Sequence, residues 1–263
     1  MTKTKPKGSL RIVSLAPSVT SILWAIGARK SLVGVTRWCK EVAPVGGLPE
    51  VGDCWTGDPA EIMALAPTLV VGSMPYKTET VGKLLENPIT FLAMNPRSLA
   101  EIFADIRLLG RIVDRVAPAE KIAGKMERGF AALAKKSARD KRRQRVYCES
   151  WSNPRISSPH WVAELVKIAG GEMVVPAGQR VSDEQVAAAQ PEVMVLAWAA
   201  TGEKAKPETA YAVAEWKNVP AIRDRRVHVI SDELLNTPGP PLLEGARQLF
   251  RILHGAPERK GRG

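Results

Sequence analysis

An α/β fold of two Rossmann-like lobes with central parallel sheets, joined by a long backbone helix, is predicted for this chain by three observations. Short apolar runs alternate with helical stretches in both halves of the sequence. A long segment with apolar residues at spacings of three and four separates those halves. The halves also echo one another: Pro59–Val71 reads helix, Pro67, then an apolar strand, and Asp183–Leu196 reads helix, Pro191, then an apolar strand. Strands alternating with helices require crossover connections, which make parallel sheets covered on both faces. The expected boundaries are an N-terminal lobe at 10–98, a connecting helix at 99–137 and a C-terminal lobe at 138–255.

Leu10–Leu15 is the first predicted strand, closed by Ala16-Pro17-Ser18. Ser18 or Thr20 caps the helix that follows, which runs to about Ile26 and ends at Gly27. Leu32–Val35 is the second strand. Thr36–Asp58 carries too many Pro and Gly residues for regular structure. Asp58 then caps a helix with Pro59 in its first turn and Glu61 just inside. Leu69–Val71 is a strand, Lys77–Leu85 a helix and Ile89–Ala93 a strand.

From Leu99 the period changes: Ile102, Phe103, Ile106, Leu109 and Ile112 recur at helical spacing, and the pattern resumes at Ile122, Met126, Phe130 and Leu133. Pro118 starts a second helical segment there rather than sitting mid-helix. Val146–Cys148 is the next strand. His160–Ala169 is a helix stopped by Gly170 and Gly171, and Ser182 opens another. Val193–Leu196 is a strand, Ala210–Asn218 a helix, Val227–Ile230 a strand and Leu242–His254 the closing helix.

At 263 residues the chain is long enough for two cores, and its 45% apolar and 25% charged content is ordinary for a soluble globular protein. No stretch approaches the roughly 20 apolar residues that span a bilayer. Much of the net charge of +11 sits in Lys3–Lys7, Lys135–Arg145 and Arg259–Arg262. Such runs are solvated tails and loops, or they are drawn to anionic lipid headgroups. Nucleic-acid binding would need a basic face interleaved with exposed aromatics, and none is visible. Cys39, Cys54 and Cys148 read as small, partly buried side chains; a Cys39–Cys54 disulfide or a soft-metal role is the other reading.

Enzyme chemistry finds no support: the sequence has no Gly-rich phosphate loop, no Gly-x-Ser-x-Gly elbow and no His-Glu-x-x-His. A Glu149–Asp232 acid–base pair has no geometric argument behind it. The residues that stand out lie on loops after predicted strands, where open parallel sheets bind ligands. They are Pro17 and Ser18; Trp38; Trp55; Tyr76; Trp151; Trp198; and Asp232 with Leu234. Large aromatics on such loops form a flat, apolar vise. Trp24, Trp161 and Trp216 fall in predicted helices and read as packing residues. His160 reads as a helix-start residue, with coordination of a ligand's metal as the alternative.

The opening Leu15-Ala-Pro-Ser-Val-Thr20 with Gly27, then Val33-Gly-Val-Thr36, Leu48-Pro-Glu-Val-Gly52, Leu65-Ala-Pro-Thr-Leu-Val-Val71, Ala169-Gly-Gly171 and Pro238-Gly-Pro240, resembles the helical-backbone substrate-binding proteins of ABC importers. The ordered set covers about 10–255, and its nearest branch is similar to the cobalamin-binding members. The resemblance implies a monomeric binding protein with no enzyme cofactor, holding cobalamin or a related corrinoid between two lobes. Trp38 and Trp55 match pocket aromatics, Trp151 a pocket loop and Asp232 an acidic ligand contact. The resemblance further implies a permease partner docked through Glu61 and Glu184.

One departure is the lack of a tryptophan shortly before Val181-Ser182, for which Trp198 compensates. Arg37, Arg155 and Arg180 keep a ferric siderophore open, and His160 or a tyrosine keeps haem open. A metallocluster-handling enzyme and a cytoplasmic corrinoid or chelate carrier complete the alternatives. The family implies a periplasmic or membrane-associated protein, whereas Met1–Gly8 shows no apolar signal core, which leaves the cytoplasm open.

Overall fold

The computed structural model describes residues 10–199 and 205–255, so the Lys3–Lys7 and Arg259–Arg262 clusters lie outside it. The chain divides into two compact units. Residues through Pro96 together with Phe103–Ala123 form the first, and Arg97–Ile102 with the chain from Gly124 onward form the second.

In the first unit, β1 (Ile12–Ser14) leads into α1 (Pro17–Ala25), followed by β2 (Leu32–Thr36), β3 (Glu50–Val51), α2 (Pro59–Ala64), β4 (Leu69–Ser73), α3 (Thr78–Leu85) and β5 (Phe91–Met94). The five strands form one parallel sheet in the order β3-β2-β1-β4-β5. The chain winds outward from β1 through β2 to β3, then crosses to the other side of β1 for β4 and β5. The order therefore reverses between β1 and β4, and their carboxyl ends flank the crevice where such sheets take ligands. Val13, Leu15, Ile62, Val70 and Leu84 bury one face of the sheet.

No side chain caps α1. Ala16 holds the N-cap position, Pro17 takes the first helical position, and Ser18 and Thr20 are buried within the helix. Thr20 instead donates to the Ser14 hydroxyl at 2.8 Å, so the expected cap is replaced by a strand–helix contact. The cap expected at Asp58 is present, its carboxylate accepting from Ala60 N at 2.8 Å.

The connecting segment is two helices, α4 (Leu99–Ile112) and α5 (Val116–Ser137), the second starting two residues before the expected Pro118. Asp114 adopts φ +55° between them, and Arg115 N closes the turn on Gly110 O at 2.6 Å. A Cβ on Gly110 would stand 2.3 Å from Ala119 Cβ, so only glycine permits this approach. Pro118 lies in the first turn of α5, where its missing N–H leaves no bond unmade.

The second unit contains β6 (Gln144–Ser152), β7 (Arg155–Ser157), α6 (His160–Ile168), β8 (Gly171–Met173), α7 (Asp183–Ala188), β9 (Val193–Leu196), α8 (Pro207–Tyr211), α9 (Pro220–Arg223), β10 (Val227–Val229), α10 (Asp232–Leu235) and α11 (Leu242–His254). Its sheet runs β10-β9-β6-β7, with β8 beside the first half of β6. All pairings are parallel except β6 with β7, an antiparallel hairpin turning at Asn153-Pro154.

That hairpin corrects the reading of Trp151 as a loop residue: Glu149 to Ser152 extend β6 beyond Val146–Cys148 and run beside β7. The expected helix at 210–218 is also corrected. It is the end of α8 followed by a 3₁₀ turn at Ala214–Trp216. Trp161 and Trp216 are buried packing residues as expected, with indole N–H groups donating to Leu235 O and Asp183 O. Each ring removes roughly 200 Å² from water, worth on the order of 5 kcal/mol before the entropy of fixing it. A Cβ on Gly245 would lie 1.9 Å from Leu234 O, so that glycine lets α11 seat α10 and its acidic first turn.

Cys39, Cys54 and Cys148 are unpaired and buried, which removes the disulfide reading. Burial raises the thiols of Cys54 and Cys148 to about 12, leaving them inert near neutrality. Among the described residues no helix is long and apolar enough to cross a membrane.

Candidate ligand-binding site

Parallel strands place their following loops at one edge, and in the first unit that edge gathers Pro17, Ser18, Trp38, Trp55 and Tyr76. Trp55 is 53% exposed, yet its backbone is held on every side. The Asp53 carboxylate accepts from Trp55 N and from both the N–H and hydroxyl of Thr56, each at 2.9 Å. Thr80 donates to Trp55 O at 2.9 Å, and Lys77 N donates to Cys54 O at 3.1 Å. A wet indole on a pinned turn gains little for folding and is pre-organised for contact with something flat.

Met74 is exposed on the loop after β4. Tyr76, half-buried, donates its hydroxyl to Met94 O at 2.9 Å. Trp38 is half-buried with the Arg37 guanidinium 4.5 Å above its ring. Polar groups complete the edge. Among the described residues, the first-turn amides of α1 have no side-chain cap, and buried Ser73 Oγ, on the last residue of β4, has no hydrogen-bond partner. Because Ser73 follows Val71 by two, it shares the sheet face of Ser14, which Thr20 identifies as the α1 face.

In the second unit, Trp198 follows β9, Asp232 and Leu234 begin α10 after β10, and Trp151 lies at the far end of β6. Trp151 is 36% exposed and its indole N–H donates to Asn153 O at 2.8 Å, which lays the ring along the hairpin turn. Asn236 bridges Asp232 Oδ1 at 2.8 Å and Ala197 O at 2.5 Å, tying α10 to the loop that bears Trp198.

Burial raises the Asp232 carboxyl from 3.8 to about 6. The folded state therefore holds this proton more tightly than the unfolded chain. Ionisation penalises folding above pH about 6, and the penalty disappears below about 4. Asp232→Asn is expected to exceed the parent in stability by about 2 kcal/mol near pH 8, the gap closing as pH falls through 6 towards 4. Denaturant unfolding of the ligand-free proteins across that range measures it; a gap independent of pH refutes the assignment.

Beneath Trp198 lies a charge network that sequence reasoning did not assemble. Glu149 is fully buried and accepts from Tyr147 Oη at 2.7 Å, Trp198 Nε1 at 2.8 Å and Arg155 Nη1 at 2.9 Å. The Arg155 Nε pairs with Asp183 in the first turn of α7, and its guanidinium covers the Trp216 ring at 4.2 Å. A pocket of about 250 Å³ opens over Glu149, Arg155, Leu196 and Trp198. The imagined Glu149–Asp232 pair does not form, because each carboxylate has other partners. Only alternation along β6, which puts Tyr147 and Glu149 on one face, was readable beforehand.

The candidate metal-ligating groups are occupied. Arg97 Nη2 meets His160 Nε2 at 2.6 Å; a guanidinium only donates, so Nε2 accepts and Nδ1 carries the proton. The Tyr76 and Tyr147 phenols are committed as donors and pushed up by burial. Among the described residues no three His, Cys, Asp or Glu side chains converge as a metal site. Of the three cations that would favour an anionic chelate, Arg155 is neutralised within its network and Arg37 lies over Trp38.

Two α/β units, each offering aromatic and hydrogen-bonding side chains at the carboxyl edge of its sheet, define a substrate-binding protein. The chain belongs to the periplasmic binding protein family, whose model matches residues 12–234. It is 25% identical over 269 residues to the uncharacterized ABC transporter substrate-binding lipoprotein YvrC of Bacillus subtilis (strain 168), covering 96% of this chain and 81% of that protein. It is 27% identical over 241 residues to the vitamin B12-binding protein of Vibrio parahaemolyticus, covering 89% and 85%. The solved periplasmic heme-binding protein RhuT from Roseiflexus sp. RS-1 shares the fold, with a TM-score of 0.79, 23% identity and coverage of 94% and 100%.

Proposed function

We propose that this chain captures cobalamin or a related corrinoid and delivers it to an ABC importer. The observation that carries the ligand class is Trp55, an exposed indole on a backbone fixed by Asp53 and Thr80. A corrinoid is broad and amphipathic, with amide arms around a flat macrocycle. Trp55 and Trp38 offer faces for the ring. The open amides of α1 and Ser18 offer donors and acceptors for the arms. Similarity to the vitamin B12-binding protein of Vibrio parahaemolyticus supports this reading.

A haem reading draws on the fold shared with RhuT. Haem proteins hold the iron with His, Tyr, Cys or Met. Here the His160 Nε2 lone pair is taken by Arg97 and the Tyr76 hydroxyl by Met94, which favours a ligand whose metal needs nothing from the protein.

Delivery is assigned to Glu61 and Glu184. Both are exposed in the first turn of a helix that leaves the carboxyl edge of its sheet, α2 and α7. Each would meet an arginine of the permease, an arrangement that sets docking orientation more than affinity. The Glu184 carboxyl is held below its ordinary value by the Ser182 hydroxyl and its own N–H, so it is ionised for that contact. A periplasmic or lipid-anchored location follows from the same reading.

Tryptophan fluorescence titration with cyanocobalamin, cobinamide, hemin and a ferric siderophore tests the proposal. Saturable one-to-one quenching by a corrinoid, without turnover, is expected. Silence towards both corrinoids at micromolar concentration, or tighter binding of hemin, rejects the assignment.

A further inference from the structure

We infer that the end of the first unit opposite its ligand edge docks on membranes rich in anionic phospholipid. α1 starts at the carboxyl edge of the sheet and ends at Ala25; the chain turns through Gly27 and re-enters the sheet at the start of β2. This turn and the α4–α5 turn together enclose a recess of about 460 Å³. Its cations are Arg29, Lys30 and Arg115, all exposed, and Trp24 and Val113 supply its apolar wall.

Three features give the recess its chemistry. First, among the described residues none of the three cations forms an ion pair, and none of the residues lining the recess is acidic, although exposed Asp114 lies between Val113 and Arg115 in the chain. Nearby Arg107, by contrast, is paired with Glu120 at 3.0 Å. Second, the Arg29 guanidinium sits 5.8 Å above the Trp24 ring, so one face of the indole backs a cation. Third, large apolar side chains are exposed beside it: Ile112 and Val116, at 36% and 49%, flank the α4–α5 turn, and Leu108 lies one helical turn before Ile112.

Unpaired cations, a tryptophan and exposed aliphatics on adjoining turns match the headgroup region of a bilayer. There phosphates take the cations while the indole and aliphatics enter the acyl boundary. A free phosphate ion would need the cations alone and leaves the aliphatics unexplained. The surface lies at the opposite end of the unit from Glu61, so a molecule resting on lipid through it turns Glu61 away from that membrane, and lipid docking and permease docking are alternative states.

Sedimentation with phosphatidylcholine vesicles, with or without about one-third phosphatidylglycerol, tests this. Binding only to the anionic vesicles, weakening as salt rises, is expected. Each cation near the surface is worth about fivefold in partitioning, so R29Q/K30Q/R115Q should lose on the order of a hundredfold. The control K135Q/K136Q/R139Q removes the same charge from exposed positions of the second unit and should retain most binding. Ile112→Ser with Val116→Ser should weaken binding that high salt does not abolish. Equal loss in the two charge variants would mean diffuse attraction to a basic protein and overturns the assignment. Equal binding to neutral vesicles, or displacement by millimolar inorganic phosphate, does the same. All the variants change exposed residues, and corrinoid titration of each reports whether it is folded.

Discussion

Arg155→Ala is expected to destabilise the second unit by about 3–5 kcal/mol, the largest effect of any single charged-residue change considered for this protein. Glu149 has no exposed surface and Arg155 only 17%, so the truncation strands an ionised carboxylate with two neutral donors, Tyr147 and Trp198. Asp183 loses its partner too, but it is 34% exposed and water can replace part of that bond. The guanidinium also covers Trp216, whose indole anchors α7 through Asp183 O, so a void opens against the core.

Denaturant unfolding, with hydrogen exchange of the β6 and β9 amides to localise the loss, measures the effect. Replacing both partners, as Glu149→Met with Arg155→Met, should recover much of the stability, because the desolvated charge leaves with its counter-ion. A loss below about 1 kcal/mol for Arg155→Ala would mean that the ion pair is solvated and holds nothing.

Under the corrinoid proposal, Trp55→Ala is expected to weaken ligand binding by about 2 kcal/mol or more, roughly thirtyfold, while folding stability moves by no more than about 0.5 kcal/mol. The two numbers separate because the indole is half in water while the turn beneath it is held by Asp53, Thr56 and Thr80, none of which the substitution touches. Isothermal titration beside thermal unfolding reads both. If Trp55→Ala binds the corrinoid as the parent does, the indole is not part of the site.

Local signals were legible in the sequence wherever a contact spans three or four residues. The Asp58 cap and the Ser182–Gln185 capping box form between near neighbours, and both appear where the residue types announce them. β9 and α11 match their apolar patterns to the residue. The strand–helix alternation that announced parallel sheets is also a local pattern, and the α/β fold follows from it. At the ligand edge of the first unit, strand-following loops do bear Trp38 and Trp55, because parallel topology leaves those loops nowhere else to go.

What escaped were decisions made by distant partners. Val146–Cys148 looked like a complete strand, yet β6 continues to Ser152 because β7 offers it an antiparallel edge. Pro118 announced the second helical segment after Leu99, but the exact turn is set by Gly110 against Ala119, which periodicity cannot encode.

The amino-acid sequence by itself determined that this is an α/β chain with aromatic side chains on its strand-end loops. Those are properties of period, capping and turn chemistry, which act over a few residues. Tertiary structure alone decided which side chains remain available to a ligand. Arg155 is spent on a carboxylate that burial compels it to satisfy, and His160 on Arg97, whereas Trp55 stays in water because its turn is secured through the backbone.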